Sequence, residues 1–134
     1  MKTKGSTLSL GLIFASVALA ACGARPETRG TALLDRVRKH HENLRWENYG
    51  PASNDVTFAY RPDWETRLAE TGRISEFEVG ALRMIDPPGD DAWVSMRVQA
   101  FRMPDLTVRT FVWHEHWERE GGNWALTEIK DPEP

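Results

Sequence analysis

The chain has one cysteine, Cys22, in 134 residues. A lone cysteine excludes an intramolecular disulfide and any zinc site built from several thiolates. Positive charge is also in short supply. Seventeen Lys and Arg face 20 Asp and Glu, a formal net charge of −3. No basic run or stripe is present, so neither nucleic acid nor a polybasic membrane contact is expected. A Gly-rich phosphate loop, a Gly-x-Ser-x-Gly elbow, internal repeats and low-complexity tracts are all missing. Aromatics are plentiful instead: six Trp, five Phe and two Tyr. Each buries a large area, enough for a small core that has no covalent staple.

One long apolar stretch exists, near the N-terminus. Met1-Lys2-Thr3-Lys4 is basic, Leu8 to Ala21 carries no charge, and small residues lead into Leu19-Ala20-Ala21-Cys22. A basic start, a short apolar segment and a small-residue cleavage site describe a secretory signal. The segment is shorter than the ~20 apolar residues a membrane-spanning helix needs. Leu-Ala-Ala-Cys at the end of such a segment resembles the lipobox of bacterial lipoproteins. The resemblance implies that residues 1–21 are a signal peptide and that Cys22 receives S-diacylglycerol, is freed by cleavage and is then N-acylated. Two lipid signals suffice for stable anchoring, since each buried methylene contributes ~0.8 kcal/mol. Gly23, where an inner-membrane retention signal would carry Asp, implies the outer membrane, facing the periplasm. Losing 21 of 134 residues leaves a mature chain of 113. Losing Lys2 and Lys4 from 17 basic residues leaves 15 against 20 acids, a net −5. That length suits one domain of ~100–200 residues.

Residues 22–30 read as the lipidated cysteine and a short aperiodic tether, 31–130 as the domain, and 131–134 as a tail. Thr31 to about Asn48 predicts a helix, with Leu33, Leu34, Val37, His41, Leu44 and Asn48 near one face. Gly50-Pro51 is expected to end it. A turn-rich stretch over 51–55 follows, and the segment 51–62 is poor in hydrophobics. A short helix over 63–71 is expected, with Asp63 as N-cap and Gly72 just past its end. Strands are expected over 73–86, 92–101, 106–118 and 124–129. The turns between them lie at Pro87–Asp90, Met103–Asp105 and Glu120–Asn123. Short links between consecutive strands predict an antiparallel meander. Helices followed by strands predict an α+β fold: an N-terminal helix and a short second helix on a curved antiparallel sheet of about four strands.

The opening helix, the short helix at 63–71 and the ending Glu115-His-Trp117-Glu-Arg-Glu-Gly-Gly-Asn-Trp124-Ala-Leu126 together resemble the nuclear transport factor 2-like, cystatin-like architecture. The resemblance spans most of residues 31–129 and implies a cone-shaped domain. That superfamily holds enzymes, binding modules and assembly parts, so the shape alone assigns no activity.

Several residues have side chains fit for chemistry. His114 and His116 fall two apart on one strand face, with Glu118 continuing the row; imidazole and carboxylate are ligand types zinc accepts. His40 or His41 on the helix offers a further ligand. His114 or His116 also suits general base catalysis, with Asp63, Asp86 or Glu115 as partner. The row Phe111, Trp113, Trp117 reads as core. Trp93 and Phe101 sit among the polar positions of their strand and, with Trp113 and Trp117, form a candidate binding surface. Val108, Thr110 and Val112 make the opposite face of the third strand half apolar, which predicts a partner protein or a second copy on the sheet. Asp86, Asp90 and Asp91 surround the Pro-Pro-Gly turn and are of the type calcium accepts, at a spacing that matches no known loop. Three functions stay open. The first is an anchored, non-enzymatic module binding a protein or small ligand, with no cofactor. The second is a small lyase, isomerase or hydrolase, and the third a metal-binding lipoprotein.

Overall fold

The structure, a computed structural model, describes residues 28–85 and 89–134. The signal-like segment, Cys22 and Asp86 lie outside the described residues. Three helices precede four strands: α1 Arg29–Arg45, α2 Tyr49–Ser53, α3 Arg61–Thr71, β1 Arg73–Ile85, β2 Asp91–Phe101, β3 Val108–Glu120 and β4 Asn123–Lys130. The strands form one antiparallel sheet in the order β1-β2-β3-β4. This is an α+β domain with an open four-stranded meander. Among the described residues no helix is long and apolar enough to cross a membrane.

Helix α1 starts at Thr28, whose side chain accepts the Thr31 N–H. It stops three residues earlier than the Gly-Pro signal predicts. Glu47 takes φ 59°, its N–H donates to Leu44 O, and the Asn48 N–H donates to Asn43 O. This pair of bonds closes a Schellman motif. Gly50 and Pro51 instead fall inside the five-residue α2, where Pro51 occupies a first turn and needs no donor. Helix α3 also departs from expectation at its start. Tyr60, not Asp63, is the N-cap, and Asp63 lies exposed in the first turn. The segment between the helices contributes more than its composition suggests. Ala52 and Val56 are buried, and backbone bonds Thr57 N–Leu126 O and Leu126 N–Asp55 O tie it to β4.

The helices cover one sheet face. Leu33, Val37, Leu44 and Trp64 from the helices meet Val94, Met96 and Val98 of β2 and Trp113 and Trp117 of β3, all buried. Burying each such side chain contributes about 1.5–3 kcal/mol. Along β1 the inward phase changes. Register shifts after Ile74 and after Val79 leave Phe77, Val79, Leu82 and Met84 against the core and Ala81 exposed, so the expected Phe77–Val79–Ala81 row breaks at its third member. A bulge adds a residue and flips the alternation. Gly121 and Gly122 both adopt positive φ, 57° and 87°, between Glu120 and Asn123. Only a tight hairpin of the primed kind asks for that pair.

Candidate functional site

Between α1 and the sheet lies a polar pair of pairs. His40 and His41 are adjacent on α1 and both fully buried, as is Glu115 of β3. His41 Nε2 is 2.6 Å from Glu115 Oε1, and Trp117 Nε1 donates to Glu115 Oε2 at 2.9 Å. His40 Nδ1 is 3.3 Å from Asp55 Oδ2, and Arg36 Nη1 donates to Asp55 Oδ1 at 2.8 Å. The two imidazoles meet edge to face, with centroids 5.4 Å apart. His40 touches Trp64 and Trp117; His41 touches Phe77 and Trp113.

The electrostatics of this cluster follow from burial and its partners. Burial holds the His40 imidazole below its ordinary pKa, outweighing the hydrogen bond to Asp55. Among the described residues His40 Nε2 has no hydrogen-bond partner. A neutral ring with its proton on Nδ1, donating to Asp55, leaves a bare lone pair there rather than a bare N–H. Burial alone would raise the Glu115 carboxyl. The charge of His41, with the hydrogen bonds from His41 and Trp117, reverses this and holds it below the usual carboxylate range. Burying an ion pair is tolerated when its lone pairs are satisfied in this way.

The other sheet face is open to solvent. His116 of β3 stacks on its cross-strand neighbour Trp93, centroids 4.6 Å apart and planes 14° apart. Lys130 Nζ lies 5.2 Å from the Trp93 ring centre. His116 Nε2 is 3.0 Å from Asp91 Oδ1, and its Nδ1 is 3.8 Å from Glu118 Oε1. Asp91 and Glu118 face each other across β2 and β3. The three ligand-type atoms lie within 4.8 Å of one another. Val108 and Val112 are exposed on this same strand.

A third feature is a wide groove of about 1010 Å³ where α2 and α3 meet the ends of β1 and β2. Tyr49, Trp64, Leu68, Phe101 and Met103 give it an apolar lining, and Glu47 and Arg73 form an ion pair at 3.5 Å among its lining residues.

The structure separates residues that the sequence groups together. Glu115 cannot partner His114 or His116: a strand alternates faces, so Glu115 points into the core and the two histidines away from it. Its partner is His41. Asp63 is exposed on α3, in the helical layer on the far side of the sheet from both histidines. Trp113 and Trp117 are core, whereas Trp93 and Phe101 are half-buried on the outer face. His116 and Glu118 do come together, joined by Asp91 rather than by His114, which lines a separate outer-face hollow beside Trp93 and Lys130. His40 and His41 lie under the sheet and do not approach this cluster. Asp90, grouped with Asp91 in sequence, is taken up by Arg29 and Arg119 at 3.0 and 3.6 Å. The buried pairs were missed in sequence, although two adjacent histidines on the apolar side of a helix are a signal for them.

No family model and no curated protein matches this chain. A solved structure does: the solution structure of a SEC-C motif containing protein from Rhodopseudomonas palustris. It shares 12% identity, with a TM-score of 0.59 over 78% of this chain and 89% of that one. At that identity the likeness is one of fold.

Proposed function

We propose that this chain is a lipid-anchored envelope lipoprotein whose domain, of nuclear transport factor 2-like shape, is a non-enzymatic module that binds a partner protein. The observation that supports this most is how the interior is filled. Trp64, Trp113, Trp117, His40, His41 and Glu115 occupy the space between α1 and the sheet and are buried to within 2%. The His–carboxylate pairs line none of the main surface cavities. A general base must come within hydrogen-bond reach of a substrate proton, and these are walled in by tryptophan. What is offered to a partner is the groove between α2, α3 and the sheet. Its volume stands at the upper end of the ~300–1,000 Å³ of small-molecule pockets. Its open lining, apolar patches interleaved with Glu47, Glu65, Arg73 and Arg102, suits an extended segment of a partner. The signal-like N-terminus and Cys22 supply the anchor.

Two experiments test the two halves. Cys22→Ser should abolish acylation and release the protein from the membrane fraction; unchanged fractionation and acylation would refute the anchor. A photo-crosslinking residue at Tyr49 or Met103, in cells, should capture one discrete partner band that the same residue at exposed Glu76 does not. Equal, diffuse capture at all three positions would refute the groove as a binding site.

A further inference from the structure

We propose that Asp91, His116 and Glu118 form a binding site for a divalent transition metal of the zinc class on the outer face of the sheet. The argument begins at Thr127. Its hydroxyl has one proton, and that proton is donated to His116 O at 3.1 Å. The same oxygen lies 3.0 Å from His116 Nδ1. Its proton already used, Thr127 Oγ1 is the acceptor there, so Nδ1 carries the imidazole hydrogen. This is the arrangement by which an outer hydrogen bond fixes a ligand histidine's tautomer. Nε2 is then left with its lone pair.

That lone pair faces an acceptor. Asp91 Oδ1 is 3.0 Å away, inaccessible to solvent and, among the described residues, without a hydrogen-bond donor. Two acceptors at this distance repel unless a cation joins them. Among the described residues no N–H donates to that oxygen. Two ligands of one metal stand at a similar separation. With Zn–N and Zn–O distances near 2.1 Å and a tetrahedral angle, N and O lie about 3.4 Å apart, each off the other's axis, so uptake of the ion would open the 3.0 Å contact slightly.

Glu118 supplies a second, independent observation. It sits directly across the strand pair from Asp91, and like charges in that position destabilise a sheet. Among the described residues no Lys or Arg pairs with either carboxylate; the nearby arginines Arg29 and Arg119 are engaged by Asp90. A dication held by Nε2 and Asp91 Oδ1 removes the repulsion, and Glu118, whose Oε1 lies 3.8 Å from Nδ1, completes a three-ligand set by turning its carboxylate toward the ion. One nitrogen and two oxygens with a fourth position open to water is a set that zinc accepts. The Trp93 ring stacked on His116 holds the imidazole plane.

The test is zinc titration of the full chain by calorimetry near neutral pH, with circular dichroism of each variant. We expect one equivalent of Zn²⁺ to bind. His116→Ala, Asp91→Asn and Glu118→Gln should each weaken it at least ~10-fold. Thr127→Val, which removes no ligand, should weaken it ~10–100-fold by freeing the tautomer. His114→Ala, on the same face outside the cluster, should leave affinity unchanged. Folded protein that takes up no zinc would overturn the site. Zinc binding insensitive to Asp91→Asn and Glu118→Gln, or lost with His114→Ala, would overturn it equally.

Discussion

Glu115 has no exposed surface, yet it is held ionised by two donors, His41 and the Trp117 indole. Such a group is sensitive to the loss of any one partner. Removing one half of a buried pair leaves the other uncompensated and costs about 3–5 kcal/mol, whereas replacing both with apolar groups of similar volume is often neutral. Glu115→Ala should therefore destabilise the domain by about that amount in urea unfolding. In a His41→Leu background the same substitution should cost far less, because the charge it strands is already gone. Strictly additive costs in the double variant would show that the 2.6 Å contact carries no coupling.

At the scale of the elements, what is local in the chain was legible and what is set across the chain was not. The four strands, their turns and the meander follow from alternation and from Pro and Gly punctuation, and the structure has them within a few residues. Helix ends were harder. A glutamate at φ 59° closes α1, a position where sequence habit looks for glycine, and α2 takes up the Gly-Pro expected as a breaker. The bulges of β1 are invisible because they depend on its pairing with β2. The same holds for the sites. The pairing of Asp91 with Glu118 is a matter of register, and the His41–Glu115 contact joins residues 74 apart. Gly72 is a case where the local signal was sound. It ends α3 at φ 91°, ψ −159°, a region nearly confined to glycine, and a Cβ there would come within 2.5 Å of Phe101 O. Gly72→Asn should thus cost at least ~1–3 kcal/mol from backbone strain alone. Gly121→Asn, at φ 57° with nothing within 4 Å of its Cβ, should be close to neutral because Asn tolerates the left-handed region. Thermal unfolding of the two variants side by side checks this; equal losses would mean that the joint between α3 and β1 is not constrained.

For the whole molecule, the buried polar layer makes stability a function of pH. His40 has a folded pKa below its ordinary 6.5, chiefly through burial. Between those two values the unfolded chain binds a proton that the folded one refuses, so stability rises with pH. The contribution is complete above 6.5 and is lost as pH falls through 6.5 toward the folded value. Glu115, whose folded pKa lies below 4.5, acts with the same sign in a lower window: its contribution is present above 4.5 and lost as pH falls through the folded value. The domain should then weaken in two steps on acidification, the first beginning just above pH 6.5. For one proton the slope is at most ~1.4 kcal/mol per pH unit. His40→Gln keeps a hydrogen-bond donor for Asp55 but cannot titrate, so it should flatten the upper step and spare the lower. Unfolding free energies of both proteins from pH 8 to pH 4 give the difference directly. Parallel curves through the upper window would show that His40 is as readily protonated in the folded core as in the open chain, and that the tryptophans around it do not exclude charge.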